Sequence, residues 1–334
     1  MSIATTEKLM SKVLVTGGAG YIGSHTTLAL TLAGYDVVVY DNLSTGKAEA
    51  VLPPARLVVG DLADTGKLDQ LMHDEKFSAV LHFAGSIVVP ESVENPLKYY
   101  LNNTNNTTEL IRLAVQNNIP RFIFSSTAAV YGMPETSAVT EESPTLPINP
   151  YGRTKLMSEW VIQDTAAAHP DFSYVILRYF NVAGADPKGR IGQSTPDATH
   201  LIKVASQAAL GRREALHIFG TDYDTPDGTC IRDYIHVADL ADAHVLSLAH
   251  LEAANPSGIF NCGYGHGYSV REIVAAVKQA SGIDFPVIES PRRAGDPPAL
   301  ISNPARIRAT MRWEPAHDDI EGIALSAYNW EKRL

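Results

Sequence analysis

The stretch Val13-Leu-Val-Thr-Gly-Gly-Ala-Gly-Tyr-Ile-Gly23 constrains the fold of this chain more than any other. An apolar run, Val13 to Thr16, stops at a glycine cluster, and a segment of helical period, Tyr21 to Ala33, follows before Gly34. The pattern is strand, glycine turn, helix. Gly17, Gly20 and Gly23 permit positive φ, close approach of a pyrophosphate to main-chain N–H groups, and tight packing of helix on strand. The helix N-terminus offers that anion free donors and a partial positive charge. A second apolar strand, Asp36 to Tyr40, ends in Asp41, close to the ~20-residue spacing at which an acid meets an adenosine ribose. A carboxylate there accepts both ribose hydroxyls and repels a 2′-phosphate, so the sequence predicts NAD in preference to NADP.

Of 334 residues 45% are apolar and 19% charged, enough for one large globular domain with room for a smaller one. The net charge of −10, with no basic run, opposes binding to nucleic acid or an anionic membrane. An anionic ligand must be held by local groups. Met1 to Lys12 lacks a signal-peptide core and no apolar stretch is long enough to cross a bilayer, which predicts a cytoplasmic protein. Cys230 and Cys262 have neither metal-ligand nor disulfide spacing, and the eleven histidines lack the spacings of zinc sites; no metal is expected.

Further along, Leu57 to Val59 reads as a third strand, ending at Gly60-Asp61, where Asp61 suits either a contact to the adenine amino group or a plain turn. Asp64 to Asp74 reads as a helix and Ser78 to Phe83 as a fourth strand, leading into Phe83-Ala84-Gly85, small enough at its end for a cofactor ribose to lie on the main chain. A long helix is expected from Pro96 to Asn117, with Asn102 or Asn103 bonding to the backbone of a neighbouring strand. Arg121 to Ser125 and Tyr174 to Leu177 complete six strands of a Rossmann-type, doubly wound parallel sheet over residues 1–180. Right-handed crossovers put the ligand along one edge of it. Residues 181–334 read as a smaller mixed α/β substrate-binding lobe whose segments return to the first domain. It starts with a Gly/Pro/Asp-rich loop, Ala183 to Thr199, and includes helices at His200 to Ala209 and Ala238 to Ala254, a strand at Leu216 to Phe219, and a capping box, Ser269/Glu272, before a helix over Ile273 to Ala280.

Tyr151 and Lys155 stand four apart on a helix beginning near Pro150, and so share a face. An ammonium beside a phenol, with a positive nicotinamide beyond, lowers the tyrosine pKa and makes a base. An ordinary surface pair is the alternative, and the dinucleotide fingerprint with the hydroxyl triplet Ser125 to Thr127 favours chemistry.

The glycine motif and the Tyr151/Lys155 pair together resemble the extended short-chain dehydrogenase/reductase family, whose members act mostly on nucleotide sugars. The resemblance implies Thr127 as the third catalytic residue, orienting a sugar hydroxyl toward Tyr151. It implies NAD contacts from Gly17, Gly20, Tyr21, Ile22, Gly23, Asp41, Asn42, Ser44, Asp61, Leu62, Phe83, Ala84, Gly85, Asn102, Ser125, Tyr151, Lys155 and Tyr179. Dehydrating members carry Asp-Glu directly after the hydroxyl residue; this chain has Ala128-Ala129. With no acid and base for elimination, the remaining outcome is return of hydride to the ketone, and return to the opposite face inverts the carbon.

The segments Asn149 to Lys155, Arg178 to Gly184, Asp227 to His236 and Pro291 to Asp296 extend the likeness to family members that invert C4 of UDP-hexoses. By that likeness Asn181, Arg232 and Arg293 hold the diphosphate, Phe219 lies near uracil, Asp296 takes a uridine ribose hydroxyl, and Leu201, His217, Tyr234 and Val270 join Thr127 in lining the UDP-sugar site. The alternative for Arg232 and Arg293 is ion pairing with Asp233 or Asp296. Three positions bear on specificity: Ile87 in place of a lysine, His200 in place of an asparagine with a pH-dependent donor, and Leu300, of intermediate bulk, at the gate of the sugar pocket. N-acetylhexosamine or pentose substrates, a dehydrogenase of the same fold, and an idle NAD-binding protein are the competing readings. The helices of Asn102 and Tyr151 are expected to form a two-fold homodimer, as in relatives.

Overall fold

The computed structural model describes residues 11–195, 199–293 and 295–334. Most of the Met1 to Lys12 reading lies outside the described residues, as do parts of the Ala183 to Thr199 loop and of the arginine loop.

The first half alternates strand and helix: β1 (Lys12–Thr16), α1 (Tyr21–Leu32), β2 (Asp36–Asp41), β3 (Arg56–Val59), α2 (Thr65–Glu75), β4 (Ala79–His82), α3 (Val89–Glu94) and α4 (Pro96–Tyr99). A π-helical stretch, Tyr100–Asn105, joins α4 to α5 (Asn106–Gln116), after which come β5 (Arg121–Ser125), β6 (Ala138–Val139), α6 (Pro150–Ala168) and β7 (Ser173–Tyr179). The second half continues with β8 (Asn181–Ala183), α7 (Leu201–Ala209), β9 (Leu216–Phe219), β10 (Ile231–Arg232), β11 (Tyr234–His236), α8 (Val237–Glu252), β12 (Gly258–Cys262), β13 (Tyr268–Ser269), α9 (Val270–Ser281), β14 (Val287–Ser290), β15 (Ala299–Ser302), α10 (Ala305–Met311) and α11 (Ile320–Glu331).

Among the described residues the largest sheet has seven parallel strands in the order β12-β7-β5-β4-β1-β2-β3. Its central strands are continuous apolar runs because helices cover both faces. Alternation along β1 sorts the side chains: Val13 and Val15 pack with Leu30 of α1 and Leu240 of α8, whereas Leu14 packs with Leu68 of α2, Leu110 of α5 and Ile162 of α6. The reversal of strand order between β1 and β4 opens a crevice at the carboxyl ends of the strands, the place where such sheets bind ligands.

The sequence predicts six strands; β12 is the seventh. It comes from beyond residue 180 and pairs in parallel with β7, Phe260 opposite Leu177. Gly258 and Asn261 interrupt its apolar run, and Asn261 is buried only because Tyr131 and Val139 supply its hydrogen bonds. Conversely, β6, from the first half, pairs with β15 in a four-stranded sheet, order β13-β10-β15-β6. The two halves therefore exchange strands. The long helix expected from Pro96 is also interrupted, by the π-helical stretch. There Asn103 accepts the Ser86 N–H (2.7 Å) and donates to the Ser86 carbonyl (2.9 Å), so the bond anticipated from Asn102 or Asn103 belongs to Asn103 and reaches the loop after β4, not a strand.

Candidate active site

The crevice begins at Gly17, φ +73°, whose N–H donates to the Tyr40 carbonyl (2.9 Å). A Cβ on Gly17 would stand 2.5 Å from the Ala84 backbone nitrogen, and one on Gly23 2.2 Å from the Gly17 carbonyl oxygen. Gly20 has ordinary negative φ (−77°) and is the N-cap of α1, contributing no capping side chain, and the first turn holds no acid. The helix N-terminus thus keeps free N–H donors for a phosphate. Gly18, overlooked in the sequence, is needed as well, since a Cβ there would meet Val39 at 2.7 Å. Tyr21 and Ile22 open α1, and the Tyr21 hydroxyl donates to the Gly184 carbonyl (2.7 Å), fastening this helix to the second half.

Asp41 is buried at the end of β2, one carboxylate oxygen accepting the Ala19 N–H (2.9 Å), the other the Leu43 N–H (2.8 Å). Each oxygen retains a lone pair, which suits ribose hydroxyls. Asn42 donates to Asp61 (2.8 Å) and accepts the Ser44 N–H (3.0 Å), while the other Asp61 oxygen accepts the Ala63 N–H (2.9 Å), with Leu62 buried between. Asp61 is at least a turn aspartate. The glycine cradle, the open helix end and the carboxylate together fit a dinucleotide.

Across the crevice Asn149 caps α6, accepting the Gly152 N–H (2.9 Å). A Cβ on Gly152 would lie 2.7 Å from the Ala129 carbonyl, so the start of α6 sits directly on the turn after Thr127. The Thr127 hydroxyl accepts the Ala129 N–H (3.1 Å) and faces the Tyr151 phenol closely enough to oppose the rise in its pKa. Lys155 Nζ donates to the Ser125 carbonyl (2.8 Å), stands 4.8 Å from the centroid of the Phe124 ring, and borders Gly85. The Ser125 hydroxyl in turn bonds the Tyr179 hydroxyl. Phe83 packs against His244, and Asn102 donates to the Ser86 hydroxyl (3.0 Å). Tyr151, Lys155, Thr127, Ser125, Tyr179 and Gly85 thus converge on one side of the crevice.

The expected lowering of the tyrosine pKa counts a positive nicotinamide, and the protein's own groups act in the other direction. Burial raises the Tyr151 phenol above its usual value, and the neighbouring Thr127 hydroxyl only partly offsets this. Burial also pushes Lys155 down, to about 8. The predicted lowering of the tyrosine pKa is therefore not a property of the protein alone, because desolvation of the phenolate outweighs what its neighbours return.

On the second half, the Arg293 guanidinium lies 5.1 Å from the Phe219 ring centroid and donates to Asp296 (2.9 Å), which also faces Arg232 at 3.7 Å. Both arginines thus have the ion-pair partner Asp296, and neither uses Asp233, which is turned inward to accept from the Tyr264, Gly265 and Ser302 N–H groups and the Ser302 hydroxyl. His217 stacks on Phe219 at 6.1 Å. Asn181 donates its N–H to the Asp233 carbonyl (3.0 Å) and pairs in register with Tyr234. Val270 opens α9, and Leu201 opens α7 after His200. Burial and Lys203 lower the His200 pKa, which favours the neutral imidazole with its single N–H donor. Leu300 pairs in register with Arg232 and packs against a cluster of Ala128, Tyr131 and Leu156, standing between the arginines and the Thr127 turn. Ile87 is 47% exposed and brings no charge.

Sequence reasoning missed Glu159 and its link to Ser126 and Arg178, the three forming a buried polar group behind Lys155. The signal was available in the four-residue spacing from Lys155 to Glu159.

Comparison with known proteins matches residues 13–263 to the NAD dependent epimerase/dehydratase family. The chain is 58% identical to the UDP-glucose 4-epimerase of Azospirillum brasilense, over 97% of this chain and 92% of that protein. It is 52% identical, with a TM-score of 0.86, to a structure of the UDP-Glc/GlcNAc 4-epimerase from Campylobacter jejuni, covering 97% of this chain and 100% of that one. A UDP-glucose 4-epimerase from Brucella ovis, solved in complex with NAD, is 46% identical with a TM-score of 0.93, covering 96% and 98%.

Proposed function

The chain belongs to the NAD-dependent epimerase/dehydratase family, and from that premise we propose that it interconverts UDP-galactose and UDP-glucose by inverting C4 of the sugar. The observation that carries this reading is the Thr127–Tyr151–Lys155 constellation with Ala128 and Ala129, not carboxylates, following Thr127. Such a site moves one proton at C4 and has no group to drive elimination. NAD held there would supply the acceptor, and then the donor, of the C4 hydride. Tyr151 accepts the C4 hydroxyl proton and returns it, and Thr127 aligns that hydroxyl with the phenol. Gly17 and the N-terminus of α1 receive the pyrophosphate, and Asp41 the adenosine ribose. Arg232 and Arg293 exchange Asp296 for the substrate diphosphate, for which a planar guanidinium fork is suited, leaving Asp296 for the uridine ribose and Phe219 for the base. With the diphosphate gripped and uncharged side chains at Ile87, Ala128 and Leu300, the hexose is free to turn and present its other face.

We place this reaction in the cytoplasm; no helix among the described residues is long and apolar enough to cross a membrane. The working unit is a homodimer. Val93, Leu97 and Leu101, at successive four-residue steps, are 62%, 72% and 64% exposed, and Trp160 on the adjacent α6 is 52% exposed. That apolar surface suits a second copy of itself across a two-fold axis.

The test is to incubate purified protein with UDP-galactose, without added nucleotide, and separate the products. UDP-glucose is expected with no net NADH; stoichiometric NADH or no product would refute the reading. Because Leu300 is smaller than an aromatic gate, UDP-N-acetylgalactosamine is also expected to turn over, and Leu300→Tyr to abolish that activity while sparing UDP-galactose.

A further inference from the structure

α6 carries a third side chain on the face of Tyr151 and Lys155. Glu159 is one turn beyond Lys155 and two beyond Tyr151, and it is fully buried. Its carboxylate accepts from Arg178 Nη2 (2.6 Å) and Nε (3.0 Å), and from the Ser126 hydroxyl. Ser126 lies between Ser125, whose carbonyl receives Lys155, and Thr127, whose hydroxyl meets Tyr151. Arg178 precedes Tyr179, which bonds the Ser125 hydroxyl. Arg178 also donates to the Tyr131 hydroxyl (3.1 Å), which donates to Asn261 on β12 (2.6 Å).

A buried ion pair is poor evidence of stabilisation, since apolar isosteres commonly do as well. This one is placed where geometry matters. We infer that Glu159 is a positioning residue, which through Ser126 and Arg178 holds the Ser125–Thr127 segment in register with Tyr151 and Lys155. The inference rests on the epimerase reading given above. A second effect follows from its charge. Burial lowers the Lys155 pKa and the Glu159 carboxylate works against that, keeping the ammonium that donates to Ser125. The other groups facing Lys155 add no charge of their own near neutrality: His82 on β4 is pushed down to about 3, and burial raises Tyr151 and Tyr179.

Ser126→Ala removes the tether and leaves the Glu159–Arg178 pair whole; Glu159→Gln removes the charge. For Ser126→Ala we expect kcat on UDP-galactose to fall about tenfold or more, with KM within about twofold, because the diphosphate is gripped elsewhere. Bound NAD and melting temperature should stay near wild type. For Glu159→Gln, the Lys155 Cε titration, followed by NMR of lysine-labelled protein and assigned with Lys155→Met, should move to lower pH, and the alkaline limb of kcat with it. Wild-type kcat in Ser126→Ala would overturn the proposal, as would a loss merely proportional to lost NAD, or an unmoved Lys155 titration in folded Glu159→Gln. Should Glu159→Gln not fold, Ser126→Ala decides. Should the wild type make no UDP-glucose, the epimerase reading fails by itself, and the Lys155 titration still judges the role of Glu159.

Discussion

Two glycines of nearly equal φ separate backbone strain from crowding. Gly282, φ +69°, closes α9 with nothing within 4 Å of where an alanine methyl would stand, while Gly17, φ +73°, would set its Cβ 2.5 Å from Ala84 N, 2.8 Å from Ala84 Cα and 2.8 Å from the Phe83 carbonyl carbon. Gly282→Ala therefore incurs the left-handed strain alone, about 1–2 kcal/mol. Gly17→Ala incurs that and an overlap with backbone. The loop cannot swing aside cheaply, because the Phe83 and Ala84 N–H groups both donate to the Thr16 carbonyl, at 2.9 and 3.2 Å. Overlap of this kind adds about 1–3 kcal/mol, and a lost backbone bond about 1 kcal/mol more. At about 2 °C per kcal/mol for a chain of this size, Gly282→Ala should lower the melting temperature by about 2–4 °C and Gly17→Ala by about 6–12 °C. Scanning calorimetry of the two variants, with NAD per chain measured after denaturation, tests this. Gly282→Ala should keep its NAD; Gly17→Ala should lose most of it, since the displaced loop is Phe83-Ala84-Gly85. Equal shifts in melting temperature, or Gly17→Ala with full NAD, would refute the reasoning.

Tyr151→Phe should lower kcat on UDP-galactose by about 10²–10⁴-fold while leaving KM and bound NAD largely unchanged, as measured by coupled UDP-glucose formation. Trp160→Glu should convert a dimer to monomers in sedimentation velocity, whereas Leu325→Glu, on an exposed face of α11, should not. His25, His82, His236 and His244 are buried, and burial pushes their pKa values to about 4, 3, 3 and 4. Below about pH 6.5 the unfolded chain binds protons that the folded one refuses, so stability falls as pH falls, by about 1.4 kcal/mol per histidine per pH unit until the folded values are reached. Urea midpoints should drop steadily from pH 6.5 to 5; a flat profile would mean the histidines charge inside the fold.

What was legible in the sequence and what was not divide along a physical line. Strands β1, β2, β4, β5 and β7 announce themselves because a sheet covered on both faces needs unbroken apolar runs, and the glycine turn because only glycine fits against Ala84 and against its own helix. Tyr151 and Lys155 share a helix face by their four-residue spacing, and Thr127 stands just past the end of β5, so the sequence alone brings the three to one edge. β12 was not, since its Asn261 reads as a break until Tyr131, Val139 and Glu141 are seen to satisfy it. The ionisation of Tyr151 in the protein alone is illegible in the sequence for a related reason: spacing reports which charges are near, and only the fold reports how far water has been excluded. These omissions share a location. Asn261 ends the chain of bonds that runs from Ser126 through Glu159, Arg178 and Tyr131, while β6 crosses the other way to pair with β15. The Ser125–Thr127 turn is thus anchored by residues on both sides of position 180, and a cut there would remove a sheet strand from one piece and Val139 from the other. The Ser125–Thr127 side of the crevice therefore depends on the exchanged strands, and not on a first half completed by an independent lid.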